Sequence, residues 1–149
     1  MKKILVPIDG STASQNAAAK ALEIARQFHS SVLFITVINE PDVSMYNKFG
    51  VLVDPEMKKL KEKLKENEKK MMDSIIDSLD TSDITISKKI ASGIPYEEIL
   101  REASEGNYDL IVMGQRGYSK IKRFFVGSVT YRVISDASCP VLTVHENQK

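Results

Sequence analysis

The chain has 149 residues, 21 basic against 20 acidic, for a formal charge of +1. One core can bury roughly two thirds of the unfolded surface of such a chain, so residues 1–149 read as one domain. The charge balance excludes a global pull toward nucleic acid or anionic lipid, and any preference for anions has to be local.

The single cysteine, Cys139, cannot close an intramolecular disulfide. No paired Cys/His spacing suits zinc, which favours a reducing compartment. The first apolar run stops at Asp9, too early for a signal-peptide core, and no apolar stretch approaches the roughly 20 residues of a membrane span. The expectation is a cytoplasmic protein with no membrane and no nucleic-acid partner.

Ile4, Leu5, Val6 and Ile8 predict a first strand with Pro7 near its end, followed by an Asp9-Gly10-Ser11 turn. Ser11 or Thr12 caps the next helix, whose Ala18, Ala21, Leu22, Ala25 and Phe28 recur at helical spacing. Residues 32–38, VLFITVI, predict a second, β-branched strand ended by Asn39 to Asp42.

Residues 42–53 carry no clear period and read as a flap. Asp54-Pro55-Glu56 starts a long helix, with Met57, Leu60, Leu64, Met71, Ile75 and Leu79 on one side. Lysines crowd the rest of that helix, but Glu62, Glu66 and Glu68 are interleaved with them, as on a solvated face.

Ile84, Ile86 and Ile90 alternate with polar residues, which predicts a half-exposed edge strand. Gly93-Ile94-Pro95 leads into a helix carrying Tyr96, Ile99, Leu100 and Ala103 that ends at Gly106. Leu110 to Met113 is an unbroken apolar run that predicts a strand covered on both faces. A fourth helix starts near Gly127, with Val129, Val133, Ile134 and Ala137 near one face. After Cys139-Pro140, Val141 to Val144 form a short fifth strand.

Strands alternating with helices predict an open α/β fold, a five-stranded parallel sheet with right-handed crossovers and helices on both faces. The most apolar strands, the first, second and fourth, belong inside, which gives the order 3-2-1-4-5. Chain direction then reverses between strands 1 and 4, and ligands bind such sheets in the crevice at that reversal. Asp9-Gly10 and Gly114-Gln115-Arg116-Gly117 would line it.

The loop chemistry selects the same place. Gly114 and Gly117 are followed after nine residues by Gly127-Ser128. Glycine tolerates positive φ and lacks the Cβ that would keep an anion from backbone N–H groups, and a helix start adds its unpaired N–H groups and roughly half a positive charge. Arg116, Lys120, Lys122 and Arg123 add cations, of which at most two can converge on one phosphate. The stretch reads as a phosphate cradle. No Walker lysine follows, because Gly117-Tyr118-Ser119-Lys120 stands where Gly-Lys-Ser/Thr would be required.

Asp9 accepts from ribose or adenine donors, or helps hold a metal, unless it only caps the first helix. Ser128 and Thr130 offer hydroxyls to phosphate or metal, with helix capping as the plain alternative. His29, His145, Cys139 and the Met71-Met72 pair read as structural or exposed.

The pattern Gly-x-x-Gly-x9-Gly-Ser in GQRGYSKIKRFFVGS, with DLIVMG before it, VTYRVISDASCPVLTV after it and ILVPIDGS at the start, resembles the universal stress proteins, in particular their ATP-binding branch. The resemblance implies a Rossmann-like fold of the adenine nucleotide alpha hydrolase type, and a homodimer through the last strand, Val141 to Val144. It also implies ATP bound with a divalent metal, Mg2+ or Mn2+. Carried over to matching positions, Pro7, Asp9 and Val37 would surround the adenosine, and Gly114 and Gly117 would lie near ribose and α-phosphate. Gly127, Ser128, Val129 and Thr130 would hold the remaining phosphates. The expected function is a nucleotide-dependent regulatory switch without assigned catalytic residues. The alternatives are slow ATP hydrolysis or phosphoryl transfer, and a nucleotide-independent interaction module.

Overall fold

The computed structural model describes residues 1–40, 55–117 and 126–147. Among these, β1 (Lys3–Pro7), α1 (Thr12–Phe28), β2 (Ser31–Asn39), α2 (Pro55–Asp77), β3 (Ile86–Gly93), α3 (Pro95–Glu105), β4 (Leu110–Gly114), α4 (Ser128–Asp136) and β5 (Val141–Val144) follow one another. The five strands form one parallel sheet in the order β3-β2-β1-β4-β5, the expected one. The whole of the expected flap, residues 42–53, and the loop cations Lys120, Lys122 and Arg123 lie outside the described residues. None of the described helices is long and apolar enough to cross a membrane.

Alternation along the strands divides the core in two, because successive side chains of a strand point to opposite faces. Ile4, Val6, Val32, Phe34, Leu110 and Val112 pack with α1 and α2 on one face. Leu5, Leu33, Ile35, Ile111 and Met113 pack with Ile99, Ala103 and Val133 of α3 and α4 on the other. Phe34 and Ile111 are fully buried. The small side chains of Ala18, Ala21 and Ala25, with Ala17 beside them, allow α1 to lie close on the sheet centre, but Phe28 at the end of the expected face is 54% exposed.

The expected inward face of α2 changes. Met57, Leu60 and Leu64 are 52%, 52% and 41% exposed, and the buried side of α2 runs instead through Met72, Ile75 and Ile76. Helical spacing alone gave the first half of α2 an inward face, whereas only its second half packs against the core on β2 and β3. α3 ends at Gly106 as expected; Gly106 keeps a right-handed conformation and Asn107 takes the left-handed one, at φ 52°. Asparagine tolerates that region because its short polar side chain bonds locally.

At the far edge from the site, Asp109 joins β4 to the chain start. Its Oδ2 accepts from the backbone N–H groups of Lys2 at 2.7 Å and Lys3 at 3.0 Å, and its own N–H donates to the Lys3 carbonyl at 2.9 Å. The Lys2 bond first, then that of Lys3, holds its carboxyl below the ordinary value of 3.8. A carboxyl with a depressed folded-state pKa stabilises the fold above its unfolded value, and that contribution disappears as pH falls through the folded value. Asp109→Asn is therefore expected to lower the urea midpoint at neutral pH. The gap to the unsubstituted chain is expected to close once pH drops well below 3.8.

Candidate functional site

Pairing of β1 with β4 through Ile4–Leu110 and Leu5–Ile111 sets the point where chain direction reverses. At the carboxyl ends of these strands lies a cavity of about 330 Å3, within the roughly 300–1,000 Å3 of small-molecule sites. Pro7, Asp9, Val37, Gly114, Gly117, Gly127, Ser128, Val129 and Thr130 all line it, whereas Gly10 and Gln115, also expected there, are not part of the lining. Arg116, expected from the sequence, lines it too, and the structure adds Ile8, Ile35, Thr36 and Met113 from the strands and their ends, Ser11 and Ser14 from the start of α1, and Pro95 and Ile99 from α3. Glu68 of α2 completes the lining. The sequence shows Pro95 and Ile99 as a helix start and face, and shows Glu68 only as one charge among many.

Asp9 is fixed by the turn it opens. Its Oδ1 accepts from Ser11 N–H at 2.9 Å and Ser11 Oγ at 2.5 Å, and Ser11 Oγ in turn accepts from Ser14 N–H, capping α1. Ser11 rather than Asp9 is thus the cap of α1, while one Asp9 oxygen orders the turn before it and the residue lines the cavity. Gly10 makes the turn possible with φ 84°.

The opposite wall is built from backbone. Gln115 N–H donates to Val144 O at 2.8 Å, and Gly127 N–H donates to Gln115 O at 2.9 Å. These two bonds return the chain to the mouth of β4 just before α4. Gly127 is the N-cap of α4 and carries no side-chain capping bond, and the first-turn N–H groups of a helix have no intrahelical partners. Ser128, Val129 and Thr130 supply those groups at the cavity wall. The Thr130 hydroxyl, read from the sequence as a donor to phosphate or metal, instead donates to Gly114 O at 2.9 Å inside the core. What Thr130 offers a ligand is its backbone.

The glycines serve space rather than unusual dihedrals, since none of Gly114, Gly117 and Gly127 has a positive φ. A Cβ on Gly114 would lie 2.9 Å from the Ala13 carbonyl carbon and from Ala13 Cβ, where β4 meets the start of α1. A Cβ on Gly117 would collide with Asp9 Oδ2. At Gly127 the nearest atom, Arg116 Cα, is 3.4 Å away, an ordinary contact. The protein itself would tolerate a methyl group at Gly127, and that Cβ would stand at the start of α4, where an anion would approach.

The electrostatics are divided. Burial first, then the charge of Asp9, pushes the Glu68 carboxyl up. A helix start without a side-chain cap stands on the other wall. This donor set fits a phosphate. Among the described residues there is no cluster of three metal-ligating side chains, and a magnesium site commonly combines one or two carboxylates with substrate phosphates. Cys139 lies away from the cavity, and burial, with Asp109's charge second, raises its thiol pKa, so thiolate chemistry is disfavoured there.

The profile of the universal stress protein family matches residues 1–145. The universal stress protein MJ0531 of Methanocaldococcus jannaschii is 35% identical over 99% of this chain and 84% of its own length. The solved structure of MJ0577 from the same organism superposes with a TM-score of 0.77 at 32% identity, covering 99% of this chain and 98% of that one. A universal stress protein family member from Arabidopsis thaliana, solved with AMP bound, shares the fold at a TM-score of 0.69 and 18% identity, covering 99% of this chain and 93% of that one.

Packing around the glycines separates their roles. Gly114→Ala is expected to destabilise the fold by roughly 1–3 kcal/mol through overpacking against backbone. Gly127→Ala is expected to cost under about 1 kcal/mol, the scale of a changed N-cap. Urea unfolding of the two variants checks the order.

Proposed function

Since this chain belongs to the universal stress protein family, we propose that it binds ATP with Mg2+ or Mn2+ and acts as a nucleotide-dependent dimeric regulatory switch. The observation that carries the reading is the cavity at the β1/β4 reversal. There the α4 start, with no side-chain cap and with a glycine that packing does not require, faces the same space as Pro7, Asp9 and Val37. The AMP-bound relative has the same fold and belongs to the same ligand class, but at its distance the argument rests on this chain's own residues.

In this reading Pro7, Val37 and Asp9 surround the adenosine, Gly114 and Gly117 lie along ribose and α-phosphate, and Gly127 with the first-turn amides of Ser128, Val129 and Thr130 holds the outer phosphates. The amides suit anions because they bring partial positive charge without a desolvated counter-charge of their own. Bound divalent metal would draw its ligands from phosphate oxygens and from a cavity carboxylate, and would supply charge neutralisation for the phosphates.

The switch follows from where α4 leads. Its first turn belongs to the phosphate site, while Tyr131 on the same helix is 64% exposed and Leu142 on the adjoining edge strand β5 is 37% exposed. An apolar strand edge with unpaired backbone groups invites a two-fold mate. Occupancy at one end of a short helix then bears directly on the surface through which two copies meet at Val141 to Val144.

Isothermal titration with ATP and Mg2+ is expected to give saturable heat. Gly127→Val is expected to weaken affinity at least tenfold, about 1.4 kcal/mol, without the loss of stability expected for Gly114→Ala. Absence of heat at millimolar nucleotide removes the reading. In light scattering the chain is expected at twice its 16.7 kDa mass, and Leu142→Asp is expected to return it to the single-chain mass. A single-chain mass for the unsubstituted protein at micromolar concentration refutes the dimer.

A further inference from the structure

We propose that Glu68 is a specificity-determining residue of the cavity, its carboxylate accepting hydrogen bonds from the sugar hydroxyls of the bound nucleotide. The inference rests on the nucleotide-binding reading above and adds to it a contact from α2, a helix to which that reading gives no part.

Register makes the first argument. Residues 68, 72 and 75 share one face of α2, at spacings of four and three. Met72 and Ile75 are buried in the core and Leu79 packs against it. Glu68, one turn earlier, stands on that inward face at the place where α2 reaches the cavity. Its acidic neighbours Glu62 and Glu66 are exposed.

Partnership makes the second. The nearby lysines with described ion pairs use other carboxylates, Lys70 with Glu66 at 3.3 Å and Lys61 with Glu40 at 3.6 Å. Among the described residues none donates a hydrogen bond or an ion-pair contact to Glu68. Asp9, the charged neighbour that acts on it, carries the same sign, and with partial burial it makes ionisation of Glu68 harder. An inward carboxylate beside another carboxylate costs folding energy and returns none. A ligand group rich in O–H donors offsets that cost.

Ligand polarity makes the third. A phosphate against Asp9 and Glu68 would add a third negative charge, whereas the α4 start receives anions. The vicinal hydroxyls of a ribose are neutral donors, and two carboxylates can accept from both. In this proposal the phosphates take the start of α4 and the sugar edge takes Glu68 together with Asp9.

The full chain, with Mg2+ held constant, is titrated with ATP and with 2′,3′-dideoxy-ATP. The unsubstituted protein is expected to prefer ATP by roughly tenfold or more, the scale of hydrogen bonds to a charged acceptor. Glu68→Ala is expected to remove most of that preference by weakening ATP alone, and Glu68→Gln, which keeps an acceptor oxygen, to retain part of it. The unfolding midpoint of Glu68→Ala is expected at or above that of the parent. Equal loss for both nucleotides, or no loss for either, overturns the assignment while leaving nucleotide binding intact. An effect of Glu68→Ala that disappears when Mg2+ is withheld and is the same for both nucleotides also overturns it, in favour of a metal contact. Failure of the unsubstituted protein to bind ATP overturns the parent reading as well.

Discussion

The pairing of β1 with β4 governs everything that follows in this molecule. A parallel sheet cannot be closed by hairpins, so each strand is reached by a crossover, and crossovers of one hand cover opposite faces when the chain changes direction along the sheet. With β2 on one side of β1 and β4 on the other, α1 and α2 cover one face while α3 and α4 cover the opposite one. The loops after β1 and β4 then diverge to opposite sides of the sheet. The gap they leave is the cavity.

That gap would fill with side chains if its rim were ordinary sequence. Gly114 is wedged against Ala13, and the carbonyl of Gly114 is occupied by the buried Thr130 hydroxyl, so the rim is held rigid by backbone and one small polar side chain. The bonds from Gln115 to Val144 and from Gly127 to Gln115 bring α4 back to the same rim. A helix start fixed in this way presents its amides without rearrangement, which limits the ordering cost on binding an anion.

The same construction has a cost on the facing wall. Asp9 and Glu68 put like charges into a partly desolvated space, an arrangement that packing alone would not select. Residues that violate the rules of a stable interior mark the places where a structure serves something other than its own stability. Here they line the same cavity as the start of α4, whose unpaired amides suit an anion.

Strand identity, strand order and the location of the crevice were legible in the amino-acid sequence, because they depend on local apolar content and on a topological rule that needs only the sequence of elements. The nine candidate residues from Pro7 to Thr130 came from the family resemblance, and they line one cavity because they lie at the carboxyl-end side of the strands, in the turns that follow and in the first turn of α4. The inward face of α2 was not legible, since its lysine-rich first half carries an apolar stripe that satisfies helical spacing without packing in the core. Nor was the use of the Thr130 hydroxyl, whose acceptor Gly114 lies 16 positions earlier. Glu68 looked like any charge on a solvated helix until the fold set it against Asp9, which lies far from it in the chain. Periodicity and spacing act over a few residues and can be read in order along the chain; which atoms meet across the sheet depends on long-range register, and only the folded chain fixes that.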